Sequence, residues 1–235
     1  MSTPDAPAPD APSLETLIDL PPYRILHLAG TSPDLVLSFA SIGHDATRMP
    51  SPEFVRAASV QNRTALFVLD RSRSWASAPG FAGSLIEAVA KLRARQTIEN
   101  TLAIGTSMGA FAALRAGEIL PLTAILAIGP QHRPAAAEET RWRDWTASLP
   151  ATLTAALPQG PQITLLHGLL DDSTQARAFP QARGCDHVLF ADQTHSSLAP
   201  HLKLRGVMAG LIEAALARDR RRLLRILQSA GGQRR

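Results

Sequence analysis

A single cysteine, Cys185, stands in 235 residues. It excludes an internal disulfide framework and a thiolate cage for zinc, and it suits a reducing compartment. No apolar run approaches the roughly 18 residues that a membrane span needs. No basic segment leads into an apolar one at the N-terminus, so no secretory signal is read there. A soluble, cytoplasmic protein is the expectation. No repeat of about 20–50 residues recurs. No histidine pair has the spacing of an H-E-x-x-H zinc site, so neither a metal nor a cofactor is expected.

Positive charge is in excess, but not along the whole chain. The formal net charge is +4, and residues 218–235 alone hold seven arginines and one aspartate, a net of +6, which leaves +4 − 6 = −2 for the rest. A nucleic-acid-binding domain carries its charge on a face or groove. Here the charge belongs to a tail and no nucleic-acid motif accompanies it, so no nucleic-acid partner is expected.

Residues 1–13 (MSTPDAPAPDAPS) are rich in Pro, Ala and Asp without periodicity and read as a disordered leader. Residues 14–216 read as one domain. Apolar runs at residues 24–28, 35–39 (LVLSF), 65–69 (ALFVL), 101–104, 122–128, 163–166 and 188–191 read as strands. Helical spacing appears at residues 52–59, 83–95 and 197–216. Continuous apolar strands alternating with helices predict a three-layer α/β fold, with a mostly parallel central sheet and helices on both faces. Residues 131–162 form one long insertion holding Trp142 and Trp145. Two readings are open for it: a small helical cap, or a crossover with two aromatic anchors. Residues 217–235 read as a basic helix and tail. Within it, residues 219–228 (DRRRLLRILQ) put Leu223 and Leu227 on one face, with Leu224 beside them. Such a helix can lie on an anionic membrane surface or dock on its own domain. Docking is expected, because packing supplies most helical stability in globular chains. Residues 231–233 are expected to fray.

The chemistry centres on residues 100–117, NTLAIGTSMGAFAALRAG. An apolar strand runs into Gly105-Thr106-Ser107-Met108-Gly109, and an alanine-rich helix leaves it. This is G-x-S-x-G between a strand and a helix. A serine on so sharp a turn needs neighbours without side chains two residues to either side. The turn aims the hydroxyl at the positive end of the following helix and places the Met108 N–H where an oxyanion would develop. The competing reading is a glycine-rich turn with a helix-capping serine.

A serine hydroxyl needs a base, and the base needs an orienting carboxylate. In open α/β sheets, ligands bind beyond the carboxyl ends of the strands. Downstream of Ser107, residues 163–166 end in His167-Gly168-Leu169-Leu170-Asp171-Asp172, and the last apolar run is followed by Asp192-Gln193-Thr194-His195. The order is therefore Ser107, Asp171 or Asp172, His195. In these residues the chain resembles the α/β-hydrolase superfamily: GTSMG at 105–109, HGLLD at 167–171 and THS at 194–196. The resemblance implies Ser107 as nucleophile, His195 as base and Asp171 as triad acid, since the family's acid commonly sits three residues after the strand-end glycine. It also implies a second oxyanion donor in the turn after residues 35–39, where the Ser41 N–H is the candidate. Many members carry His-Gly there; this chain has Phe39-Ala40-Ser41.

For the substrate, the loop beginning DRSRSW (70–75) opens at the same edge. His44, Arg48, Arg71, Arg73, Trp75 and His132 there, with Arg133, predict a cationic rim favouring an acidic or polyhydroxylated substrate over a long acyl chain. The plainer reading is a solvated loop. The function expected is hydrolysis of a small-molecule or saccharide ester. The alternative is a catalytically idle hydrolase fold that serves as a binding module.

Overall fold

Buried parallel strands must be apolar on both faces, and the runs singled out above do form the centre of one sheet. A computed structural model describes residues 13–235; the proposed leader lies almost entirely outside the described residues. The strands are β1 (Glu15–Leu20), β2 (Tyr23–Leu28), β3 (Asp34–Phe39), β4 (Thr64–Asp70), β5 (Asn100–Thr106), β6 (Ala124–Ile128), β7 (Gln162–Gly168), β8 (Cys185–Phe190) and β9 (Gln233–Arg234). Their order across the sheet is β1-β2-β4-β3-β5-β6-β7-β8-β9. From β4 to β8 all neighbours run parallel, while β1, β2 and β9 are added antiparallel at the edges. The helices are α1 (Val55–Ser59), α2 (Phe81–Arg93), α3 (Met108–Gly117), α4 (Arg143–Thr146), α5 (Ser173–Ala178), α6 (His195–Leu204), α7 (Met208–Leu216) and α8 (Arg220–Ser229).

Alternate residues of each strand feed alternate faces. On β3, Leu37 and Phe39 join Leu85 of α2 and Phe111 of α3 in one core. Val36 joins Ala58 of α1, Leu198 of α6, Leu211 of α7 and Leu227 of α8 in the other. The expected three layers are present, and every parallel strand ends at the same edge.

The differences from expectation lie where apolar patterning is weak. The edge strand β1, which lies outside the apolar runs read as strands, buries only Ile18 fully and shifts register between Thr16 and Ile18, so it carries no clean alternation. Residues 197–216 are two helices, broken at Gly206, whose φ of +69° suits a residue without a Cβ. Residues 231–233 do not fray: Gly232 passes over Val188 and Phe190, and β9 then pairs with β8. The basic helix α8 buries Leu223 and Leu227 in the second core, each worth about 1.5–3 kcal/mol by area. Its Arg220 forks onto Asp186 and its Arg222 onto Glu213. The insertion at 131–162 holds a single four-residue helix, α4, among turns. Among the described residues, no helix is long and apolar enough to cross a membrane.

Candidate active site

Ser107 sits at the turn from β5 into α3 with φ 56° and ψ −120°, a backbone region costing about 1–3 kcal/mol for a residue with a side chain. Packing enforces it. A Cβ on Gly105 would lie 2.2 Å from the Gly109 carbonyl oxygen, and one on Gly109 would lie 2.1 Å from the Phe39 carbonyl oxygen. Only glycines at these two positions let α3 start so close to β5 and β3. The Met108 N–H opens the first turn of α3, where no intrahelical acceptor exists.

His195 is the first residue of α6. Thr194 caps that helix in a reciprocal capping box with Ser197, which sets the imidazole at the strand edge. Its Nε2 is 2.9 Å from Ser107 Oγ and its Nδ1 is 2.6 Å from Asp172 Oδ2. The carboxylate on the ring is thus Asp172, not Asp171. The Asp171 carboxylate accepts the backbone N–H of His195 at 2.6 Å and is partly exposed, whereas Asp172 is 0 % exposed. The turn after β7 runs one residue further before a side chain points inward, and the family interval that favoured Asp171 misses it. Burial alone would raise the Asp172 carboxyl; the bond from His195 and the nearby positive charge outweigh it and leave the group below its ordinary value.

The donors and acceptors form one directed chain. Trp75 Nε1 can only donate, so the Gln131 atom 3.1 Å away is Oε1 and its amide nitrogen faces Ser107 Oγ at 2.8 Å. With that oxygen accepting from Gln131, its own proton goes to His195 Nε2. His195 therefore carries its ring hydrogen on Nδ1 and donates it to Asp172. At the far end Arg141, also a pure donor, meets Asp172 Oδ1 at 2.8 Å and forks onto Glu139. Bonds to Glu139 and Asp172 raise the Arg141 pKa beyond its ordinary value. The Trp142 ring lies against His195, centroids 4.8 Å apart.

Met108 is the first residue of α3, directly after Ser107. Ser41 is at the same edge, but its N–H donates to Glu53 Oε1 at 2.9 Å, and its hydroxyl donates to the same atom. The Ala40 N–H donates to the Val68 carbonyl. Burial raises the Glu53 carboxyl, partly offset by the Ser41 bonds. A cleft of about 940 Å³ opens beside Ser107 and His195. Ile42, Phe54, Val55, Trp142, Ala199 and Met208 give it largely apolar walls, with the charged Glu53, Arg56 and Lys203 also lining it.

The cationic rim does not form. Of its residues only His44 lines this cleft. Arg73 is buried and donates to the carbonyls of Ile42, Asp45, Arg48 and Arg71. Its guanidinium lies over Trp145, so it ties loops together. Arg48 and Arg71 meet it through their backbones with exposed side chains. Trp75 is fully buried against Gln131. His132 packs edge-on against Phe179, with its pKa lowered by burial. Below the site, His187 Nε2 donates to His167 Nδ1, and His167 Nε2 donates to the Pro130 carbonyl, which holds the turn carrying Gln131.

Sequence reasoning missed Gln131, Glu53, Arg141 and Trp142 as site residues. Gln131 alone had a signal, following Gly129-Pro130 at the carboxyl end of β6. The bonds of Arg141 and Glu53 span 31 and 12 residues with no spacing rule behind them.

No protein-family model matches the chain, and no curated protein matches it by sequence. Solved structures do. An esterase of Pyrococcus furiosus superposes with a TM-score of 0.60 at 12% identity, over 91% of this chain and 97% of that one. A lidless α/β serine hydrolase of Xanthomonas campestris gives 0.53 at 17% identity, over 87% and 94%. The capsule O-acetyltransferase of Neisseria meningitidis serogroup A gives 0.55 at 16% identity, over 83% and 93%. At these identities the likeness is one of fold: the chain has the α/β-hydrolase fold.

Proposed function

We propose that the chain is a serine hydrolase that cleaves a carboxylic ester through an acyl-enzyme. The observation that carries this reading is the directed set of bonds from Ser107 to His195 to Asp172 at a strained elbow. Ser107 Oγ attacks the acyl carbon and His195 Nε2 takes its proton, then delivers it to the departing alkoxide. Asp172 keeps the hydrogen on Nδ1 and stabilises the imidazolium. The Met108 N–H receives the oxyanion. Water, deprotonated by His195, then releases the acid. Several relatives in fold are named as esterases or hydrolases. One is named as an O-acetyltransferase, and transfer to a sugar hydroxyl would use the same parts. The apolar cleft walls favour a neutral ester with an apolar portion over the acidic substrate read from the loop arginines.

A second reading, the catalytically idle binding module, draws on Glu53, whose carboxylate takes the Ser41 N–H that the fold would offer to an oxyanion. Turnover of p-nitrophenyl acetate separates the two. The ester-hydrolase reading predicts activity that Ser107→Ala reduces to background with an unchanged melting temperature. Equal activity in the variant, or none in folded wild type, supports the binding module.

A further inference from the structure

We infer that Gln131 is a catalytic residue of this site: its side-chain amide stabilises Ser107 Oγ as that oxygen leaves the acyl carbon in deacylation. The inference rests on the ester-hydrolase reading above and assigns a role that the triad and the oxyanion donors leave unfilled.

Three observations carry it. Gln131 is 0 % exposed and both ends of its amide are engaged, by Trp75 Nε1 at 3.1 Å and by Ser107 Oγ at 2.8 Å. Because the indole can only donate, the orientation is fixed with N–H toward the nucleophile. Gln131 is also absent from the walls of the cleft that holds Ser107 and His195, so a substrate has no need to displace it. Finally, the turn that carries Gln131 is itself held, through the Pro130 carbonyl and His167. A donor locked in this way reorganises little when charge arrives.

The chemistry decides which half of the reaction gains. In the free enzyme the bond to Oγ already exists, so it is present both before and during attack and changes the acylation barrier little. In the acyl-enzyme Oγ has become the alkyl oxygen of an ester, a poor acceptor, and the bond is weakened. Water then adds to the acyl carbon, giving its proton to His195. When the tetrahedral intermediate collapses, the C–Oγ bond breaks and its electron pair goes to Oγ. The imidazolium returns the proton to Oγ, and the carboxylic acid departs. During that collapse Oγ gains charge and regains the Gln131 bond. An interaction stronger in the transition state than in the ground state accelerates the step, and here the step is deacylation.

Gln131→Met in the full chain removes the donor and keeps the side-chain length. A fluorophosphonate reads attack alone, because the phosphonyl-enzyme does not turn over, while p-nitrophenyl acetate reads the whole cycle. The expected result is labelling within about threefold of wild type and steady-state turnover lower by about tenfold or more, the size of one hydrogen bond to a charged oxygen. Intact-mass analysis during turnover should show acetyl-enzyme accumulating. Trp75→Phe, which releases the amide from its anchor, should give the same signature at smaller amplitude, and it decides the question should Gln131→Met fail to fold. Labelling and turnover that fall together, or turnover that does not fall, overturn the inference. Wild-type protein that neither labels nor turns over an ester overturns the hydrolase reading instead.

Discussion

Replacing Asp172 by Asn tests the directed bonding in detail. Asp172 has two oxygens, one accepting from His195 Nδ1 and the other from Arg141. Asparagine keeps one oxygen. The guanidinium is charged and can only donate, so it claims that oxygen. The asparagine NH2 then faces His195, which must turn Nδ1 into an acceptor and carry its hydrogen on Nε2. There it donates to Ser107 Oγ and no longer serves as a base. Turnover of p-nitrophenyl acetate should fall by about 10⁴-fold, the scale of the wrong imidazole tautomer in a serine triad. Loss of one buried charge partner should lower stability by about 1–3 kcal/mol in urea titration. Asp171→Asn should cost about fivefold at most, because an amide oxygen can still accept the His195 backbone N–H. Adding Arg141→Met to Asp172→Asn frees the asparagine oxygen to turn toward His195. The double variant should therefore be more active than Asp172→Asn alone, a coupling that contact between the residues permits. A larger loss from Asp171→Asn than from Asp172→Asn would refute the assignment, and strictly additive effects with Arg141→Met would refute the tautomer argument.

Two further outcomes follow from the packing. Burial depresses His167 to about 4 and His187 to about 3. The fold disfavours their protons, so their contribution is complete above the ordinary imidazole pKa and is lost as pH falls below about 6.5. For His167 alone that amounts to about 2 kcal/mol by pH 5. Urea midpoints at pH 7.5 and pH 5.0 check it, and equal midpoints would contradict it. In Gly109→Ala the new methyl would sit 2.1 Å from the Phe39 carbonyl oxygen, forcing α3 away from β3 at a cost of about 3 kcal/mol or more and abolishing turnover. Gly83→Ala in α2 meets nothing within 4 Å and should instead raise stability by about 1 kcal/mol.

The fold was legible where burial is two-sided. ALFVL in β4 and AILAI in β6 announce themselves because every residue is buried. Strand β1 gave no such signal, since five of its six positions face at least partly outward. The meeting of Ser107 and His195 was legible because glycine spacing and strand-end position are local properties of the chain. The carboxylate on the imidazole was off by one because two adjacent carboxylates both reach His195, one its backbone and one its ring, and sequence does not say which side chain points inward. The loop arginines misled because Arg73 solves a structural problem, bonding four carbonyls from beneath the surface. Gln131 and Arg141 act across 24 and 31 residues and become visible only once the chain is folded.

The central claim is that Ser107 is a nucleophile activated by His195. Treatment of the folded protein with a fluorophosphonate, followed by peptide mass spectrometry, tests it most directly. The account predicts one adduct, on the peptide containing Ser107, formed in wild type and absent in His195→Ala. No adduct on well-folded wild type, or an adduct on a different serine, would contradict it.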